Sequence, residues 1–216
     1  MNNNMPDTRD APMDKPTVYI IDDDGAVRDS LQMLLDSVGI ANVLYPDAQY
    51  FLHSHPDEFF GSLCGCILMD IRMPGISGME CQQRLQALGC AMPIIFVTGH
   101  GDVPMAVEAM KRGAMEFLEK PFREQELLDC IQRALQKNQQ LMQSSISAQQ
   151  INLRLKSLTS REEEVMHRVI AGQANKVIAV ELNLSQRTIE IHRANVMEKM
   201  QAKSLAELVR LIVTLE

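Results

Sequence analysis

The run Cys66-Ile67-Leu68-Met69 is apolar at every position and stops at Asp70. A strand with one face in water alternates apolar with polar residues. A strand apolar throughout has to be covered on both faces, as a central strand of a helix-flanked parallel sheet is. The chain around it has the matching rhythm. Short apolar runs at 17–21, 42–45, 64–69, 94–98 and 116–118 alternate with helix-like stretches at 27–38, 48–52, 79–88 and 103–112, and 124–136 follows the last run. Residues 16–136 are therefore expected to form an α/β domain, a doubly wound parallel sheet. Right-handed crossovers then bring the C-terminal end of every strand to one edge, where ligands bind in such sheets.

That edge collects chemistry. The first run, TVYII, ends in Asp22-Asp23-Asp24, the third in Asp70 and the fourth in Thr98, and Lys120 follows the fifth. A triple aspartate alone is most often a solvated turn or a helix cap, and a lone threonine at a strand end is usually structural. Four such features meeting at one edge are not coincidence. Clustered carboxylates do not all ionise unless a cation offsets their repulsion. A hard divalent ion with oxygen ligands fits, and Mg²⁺ (or Mn²⁺) typically takes one or two carboxylates together with water and phosphate. Asp24 is expected in the loop at the start of the next helix, where a negative charge is favoured.

The pieces IIDDD, LMDIRMPGISGME, IIFVTGHGD and FLEKPF, in this order and spacing, make residues 17–125 resemble the receiver domain of bacterial response regulators, and the segment VTGHGDVPMAVEAMKRGAMEFLEKPF resembles the FixJ branch of the NarL/FixJ group. The resemblance implies a (βα)5 domain with strand order 2-1-3-4-5 and a phosphoacceptor at Asp70. It makes Asp23 a direct metal ligand, Asp22 a support through water, and Arg72 a ligand through its backbone carbonyl. Thr98 and Lys120 bind phosphoryl oxygens by the same resemblance, and Lys120-Pro121 is a cis peptide. Phe117 matches the family's aromatic switch position, and the face built by 103–112 and 116–120 dimerises on phosphorylation. The phosphoryl donor is then a sensor histidine kinase, and no general base is needed, because the nucleophile is already a carboxylate. A rival exists among haloacid-dehalogenase-type phosphatases, which use an aspartyl nucleophile in a similar sheet. They require Asp-x-Asp, which Asp70-Ile71-Arg72 does not supply.

From about residue 137 the composition turns to Gln and Ser, without Pro or Gly, and apolar residues keep helical spacing. Residues 137–153 are expected to extend the fifth helix as a partly frayed linker, and residues 1–15 to be a flexible tail. The remainder, 154–216, reads as helices only. Ser160-x-x-Glu163 and Ser204-x-x-Glu207 match the capping box, Gly172 is a C-cap candidate, and Asn183-Leu184 is a tight turn between a helix at 175–182 and one that Ser185 caps and that runs to Met200. Residues 157–212, LTSREEEVMHRVIAGQANKVIAVELNLSQRTIEIHRANVMEKMQAKSLAELVRL and the flanking positions, resemble the LuxR-type helix-turn-helix domain. On a helical wheel Ile189, Arg193, Val196 and Met200 share one side, while Arg187, Glu190, Ile191, Ala194 and Glu198 share the other. Exposed Ile191 and Ala194 suit thymine methyls in a major groove, and Glu190 suits a cytosine amino group. Ser185, at the helix start, is a further candidate DNA contact, and Lys176, Arg187, Thr188, His192, Arg193 and Lys199 are candidate phosphate contacts.

Charge supports this division. Residues 150–216 carry ten Lys/Arg and eight Glu, a net of +2, against eleven basic and twenty acidic residues, a net of −9, in 1–149. A basic output domain on double-stranded promoter DNA is favoured over an output that binds protein or RNA. No secretory h-region opens the chain, and five cysteines without metal-site spacing fit reduced thiols, so a cytoplasmic protein without a membrane role is expected. The expected whole is a transcription regulator, activation being the implied direction, rather than an enzyme with a turnover substrate. RNA polymerase is a further candidate partner.

Overall fold

The computed structural model describes residues 15–99 and 103–215; nearly all of the expected N-terminal tail lies outside them. Five parallel strands are seen: β1 (Thr17–Ile21), β2 (Asn42–Tyr45), β3 (Gly65–Met69), β4 (Ile94–Thr98) and β5 (Glu116–Glu119). They alternate with α1 (Gly25–Ser37), α2 (Ala48–His53), α3 (Gly78–Ala87), α4 (Val103–Lys111) and α5 (Glu124–Lys156), with a short 3-10 turn at Asp57–Phe59. The strand order is β2-β1-β3-β4-β5, as the resemblance implied. β1 runs in register beside β3, with Ile21 opposite Met69, so Asp22 and Asp70 leave the sheet side by side.

Alternation along the strands explains the two cores. Tyr19, Ile21, Ile67, Met69 and Phe96 face one side with Phe51, Cys81 and Leu85 from α2 and α3. Val18, Ile20, Leu68, Ile95 and Val97 face the other, against Leu31 and Leu35 of α1 and Leu127, Ile131 and Ala134 of α5. Each face is apolar because a helical layer covers it, which is why CILM shows no polar position. β3 begins one residue later than expected. Gly65 has φ +142°, and a Cβ there would lie 1.8 Å from the Thr17 carbonyl oxygen, so only glycine fits.

α5 is one continuous helix to Lys156 where a partly frayed linker was expected. Asn138, in the stretch read as linker, is fully buried. Its Oδ1 accepts from the Gly65 N–H at 2.8 Å, and its Nδ2 is 3.5 Å from the Ala91 carbonyl, pinning the helix to the N-terminal edge of the sheet. The chain divides into two compact units between Met142 and Gln143. Among the described residues no helix is long and apolar enough to cross a membrane, and all five cysteines are free.

The second unit contains the end of α5, then α6 (Ser160–Ile170), α7 (Asn175–Leu182), α8 (Gln186–Lys199) and α9 (Leu205–Val213). Ile151 packs with Met166, Val196, Met200 and Leu208, and a second cluster joins Val165, Val169, Ile178, Leu182 and Ile189. The capping box of α6 is one residue earlier than expected: Thr159 is the N-cap and Glu162 its reciprocal partner, which turns Glu162 inward and leaves Glu163 exposed. At α9 only half a box forms, because Ser204 accepts from the Glu207 N–H while the Glu207 carboxylate takes the Lys203 N–H. Gly172, at φ +79°, follows the end of α6, and left-handed Asn183, at φ 54°, ends α7 and makes the turn to α8. Ser185 caps α8 as expected.

Candidate functional site

The aspartate triplet divides by burial. Asp22 is buried, with 2% of its surface exposed, because β1 carries it to the sheet edge. Its Oδ1 accepts from the Asp24 N–H at 2.9 Å and its Oδ2 lies 2.6 Å from Lys120 Nζ. Asp23 is exposed beside it. Asp24 is the N-cap of α1, accepting from the Ala26 and Val27 N–H groups. Asp70 follows β3, where its N–H donates to the Ile21 carbonyl at 2.9 Å. Ligand oxygens of Asp22, Asp23 and Asp70 lie within 4.8 Å of one another.

Lys120 is the counter-charge of this cluster. Its N–H donates to the Thr98 carbonyl at 2.9 Å, which fixes the end of β5 to the end of β4. Its ammonium reaches Asp22 at 2.6 Å and Asp70 at 3.5 Å. The Lys120-Pro121 peptide is cis. Burial pushes the Asp22 carboxyl above the usual carboxylate range, and the neighbouring Asp70 charge adds to the rise, against the opposing pull of Lys120 and of the Asp24 N–H. Three carboxylates converge here, and a divalent cation would add to the neutralisation that Lys120 supplies. The oxygen-only donor set fits a hard ion such as Mg²⁺.

The other predicted residues of this unit lie on or just after β3, β4 and β5. Arg72 is exposed, and its N–H donates to Asp70 Oδ1 at 3.1 Å. Thr98 is fully buried at the end of β4. Phe117, on β5 opposite Phe96, is half-buried at the margin of the core. Pro121 lines a cleft of about 390 Å³ with Val27, Leu34 and Phe122. Two contributors escaped the sequence reading. Arg28 donates from Nη1 to the Asp22 carbonyl, tying α1 to the acidic loop. Gly78, at the first turn of α3, allows close approach to the phosphoacceptor loop: a Cβ there would lie 2.2 Å from the Asp70 carbonyl oxygen. Only the sharp-turn composition of PGISG hinted at the second.

In the second unit α8 presents the expected outer face. Arg187, Glu190, Ile191 and Ala194 are exposed, Ile191 by 55%, and Lys176 is exposed near the start of α7. Ser185 and Thr188 meet at 2.7 Å between hydroxyls at the helix start. Two predicted contacts have internal roles. Arg193 Nη1 donates to Asn175 Oδ1 at 3.1 Å, bracing α8 on α7. Lys199 Nζ lies 2.6 Å from Glu162 Oε2 and 3.2 Å from the Ser157 carbonyl, so its charge is committed to a buried carboxylate. His192 is half-buried, and its Nδ1 has no hydrogen-bond partner.

A parallel sheet with an acidic cluster, a hydroxyl and a lysine at one edge, followed by a helix-turn-helix unit, is the arrangement of a response regulator with a DNA-binding output. Family models agree: residues 18–132 match the response regulator receiver domain, and residues 156–212 match the bacterial regulatory proteins of the luxR family. The chain belongs to the response regulators that join a receiver to a LuxR-type DNA-binding domain, in the NarL/FixJ group. It is 51% identical to the transcriptional regulatory protein FixJ of Bradyrhizobium diazoefficiens, over 91% of this chain and 94% of that one. It is 42% identical to the response regulator protein TodT of Pseudomonas putida, over 89% and 83%. Among solved structures, response regulator StyR matches with a TM-score of 0.83 at 45% identity, covering 92% of this chain and 98% of that one. Full-length FixJ from B. japonicum matches with a TM-score of 0.56 at 50% identity, covering 93% and 97%.

Proposed function

We propose that Asp70 accepts a phosphoryl group from a phosphohistidine of a sensor histidine kinase. The Asp70 carboxylate attacks phosphorus, the P–N bond to histidine breaks, and an acyl phosphate forms. Asp22, Asp23, Asp70 and the Arg72 carbonyl would hold Mg²⁺ (or Mn²⁺), which supplies charge neutralisation on the transferring group when bound. Lys120 adds a second positive charge, and Thr98 takes a phosphoryl oxygen. Movement of Thr98 toward that oxygen opens space for Phe117, and the face of α4 and β5 changes shape. Val103, Val107 and Met110 of α4 are exposed by 77%, 47% and 43%, apolar surface that suits a second copy. The single observation that carries this reading is the Asp22, Asp23 and Asp70 cluster with the Lys120 ammonium reaching two of its members.

The output follows from α8. Paired phosphorylated chains set two copies of this helix in the major groove of double-stranded promoter DNA, with Ile191, Ala194 and Glu190 at base edges and Lys176, Arg187, Ser185, Thr188 and His192 toward the backbone. The protein then regulates transcription in the cytoplasm, as an activator by likeness to its relatives, with RNA polymerase as the partner such activation requires. Incubation with Mg²⁺ and acetyl phosphate is the test. A single hydroxylamine-labile phosphate, absent in Asp70→Asn and absent with EDTA, is expected. Sustained release of phosphate from varied phosphomonoesters would favour a phosphatase instead.

A further inference from the structure

The linker part of α5 presents an unusual surface. From Asn138 to Leu153 there is no charged residue, sixteen positions in a chain of 23% charged composition. An exposed helix normally leans on ion pairs four residues apart or on a partner. This one has no charges for the first. At about 100° per residue, Met142, Ile146, Gln149 and Leu153 fall within about 60° of one another, spaced by four, three and four as along a coiled-coil seam. Ile146 is exposed by 52% and Leu153 by 68%, and Met142 is part-buried. Ile151 and Leu155, which pack in the output domain, lie on the opposite side of the helix.

We infer that this stripe pairs with the same stripe of a second copy, as a short parallel, in-register coiled coil. Three features select a second copy. The positions flanking the seam are Gln143, Ser145, Gln150 and Asn152, so two identical helices meet without like-charge repulsion, while a charged partner finds nothing to hold. Gln149, in mid-seam, meets its own equivalent in register, and each amide both donates and accepts. Ile146 is β-branched at the class of seam position where that shape favours two strands, and Leu153 fills the equivalent position one heptad on. The seam spans about 17 Å, fewer than two heptads, too short to hold a dimer alone. It closes only when another contact raises the effective concentration of the two helices. The inference therefore rests on the reading that phosphorylated receivers pair, and it makes the linker a clutch that passes receiver pairing on to the spacing of the two recognition helices.

Sedimentation of the full-length protein, with and without acetyl phosphate and Mg²⁺, tests it. The double variant I146K/L153K is expected to weaken dimerisation of the phosphorylated protein about tenfold or more, with Asp70 labelling and the 222 nm signal unchanged. S147K, off the seam, leaves dimerisation as in the native chain. Q149L tightens it about tenfold. A double variant that dimerises like the native protein, or an equal loss in S147K, overturns the seam alone. A native protein that stays monomeric with Asp70 fully labelled overturns receiver pairing and the seam together.

Discussion

Lys199 is a DNA-contact candidate on its sequence position, and its surroundings give it a role in the fold as well. Glu162 is only 4% exposed, and its carboxylate accepts from the Thr159 N–H at 2.8 Å and from Lys199 Nζ at 2.6 Å. The Lys199 ammonium, with the Thr159 N–H second, holds the Glu162 carboxyl down at about 2, from an ordinary 4.5. That displacement corresponds to about 3 kcal/mol of stability at neutral pH. The Thr159 N–H supplies part of it and survives in Lys199→Met, and the lysine side chain is 34% exposed, which weakens its share by solvent screening. Lys199→Met should therefore cost about 2 kcal/mol, lowering the urea midpoint of the output domain by about 1 M. All three tyrosines, Tyr19, Tyr45 and Tyr50, lie in the receiver and the chain has no tryptophan, so tyrosine fluorescence follows the receiver while 222 nm ellipticity follows both units. The variant should move the 222 nm transition and leave the tyrosine transition in place. Because Glu162 is depressed in the folded state, its contribution is complete above about pH 4.5 and fades as pH falls toward 2. The gap between native and variant should shrink accordingly at pH 3. An unchanged 222 nm transition with a large loss of DNA affinity would refute this and return Lys199 to the DNA interface.

Three other outcomes are expected. Gly78→Ala puts a Cβ 2.2 Å from the Asp70 carbonyl oxygen and forces backbone to move, so Asp70 labelling should slow about tenfold and the receiver should lose about 2 kcal/mol, read by phosphorylation kinetics and tyrosine-detected unfolding. Asn138→Ala leaves the buried Gly65 N–H without an acceptor and should destabilise the receiver by about 2 kcal/mol; a tyrosine transition within about 0.5 kcal/mol of native would contradict the pinning role. Arg187→Ala should weaken DNA binding across sequences and reduce the salt dependence of log affinity by about one, measured by anisotropy titrations at several salt concentrations.

The receiver was legible in the sequence because its strands obey two simple constraints. CILM can only be a doubly covered strand, and carboxylates at the ends of parallel strands must share an edge, so the sequence alone brings Asp22 and Asp70 together. Side chains whose role depends on a distant backbone group were not legible. Asn138 is one of several amides in a Gln- and Ser-rich stretch, and nothing local says that Gly65, seventy-three residues away, needs its oxygen. Thr159-x-x-Glu162 and Ser160-x-x-Glu163 are both capping boxes on paper. Packing decides between them, because the first aligns Glu162 with Lys199 and buries Val165, Met166 and Val169 together. The same ambiguity made Lys199 look like a free charge. The wheel of α8 fared better, because burial of Ile189, Val196 and Met200 is a property of one face.

Anisotropy of a labelled promoter fragment, from DNA upstream of the protein's own coding region and of neighbouring operons, tests the central claim most directly. The native protein is titrated with and without acetyl phosphate and Mg²⁺, and Asp70→Asn is titrated alongside. The account predicts that phosphorylation raises the affinity of the native protein about tenfold or more and leaves Asp70→Asn unchanged. Equal affinity with and without a phosphate confirmed on Asp70 would contradict it.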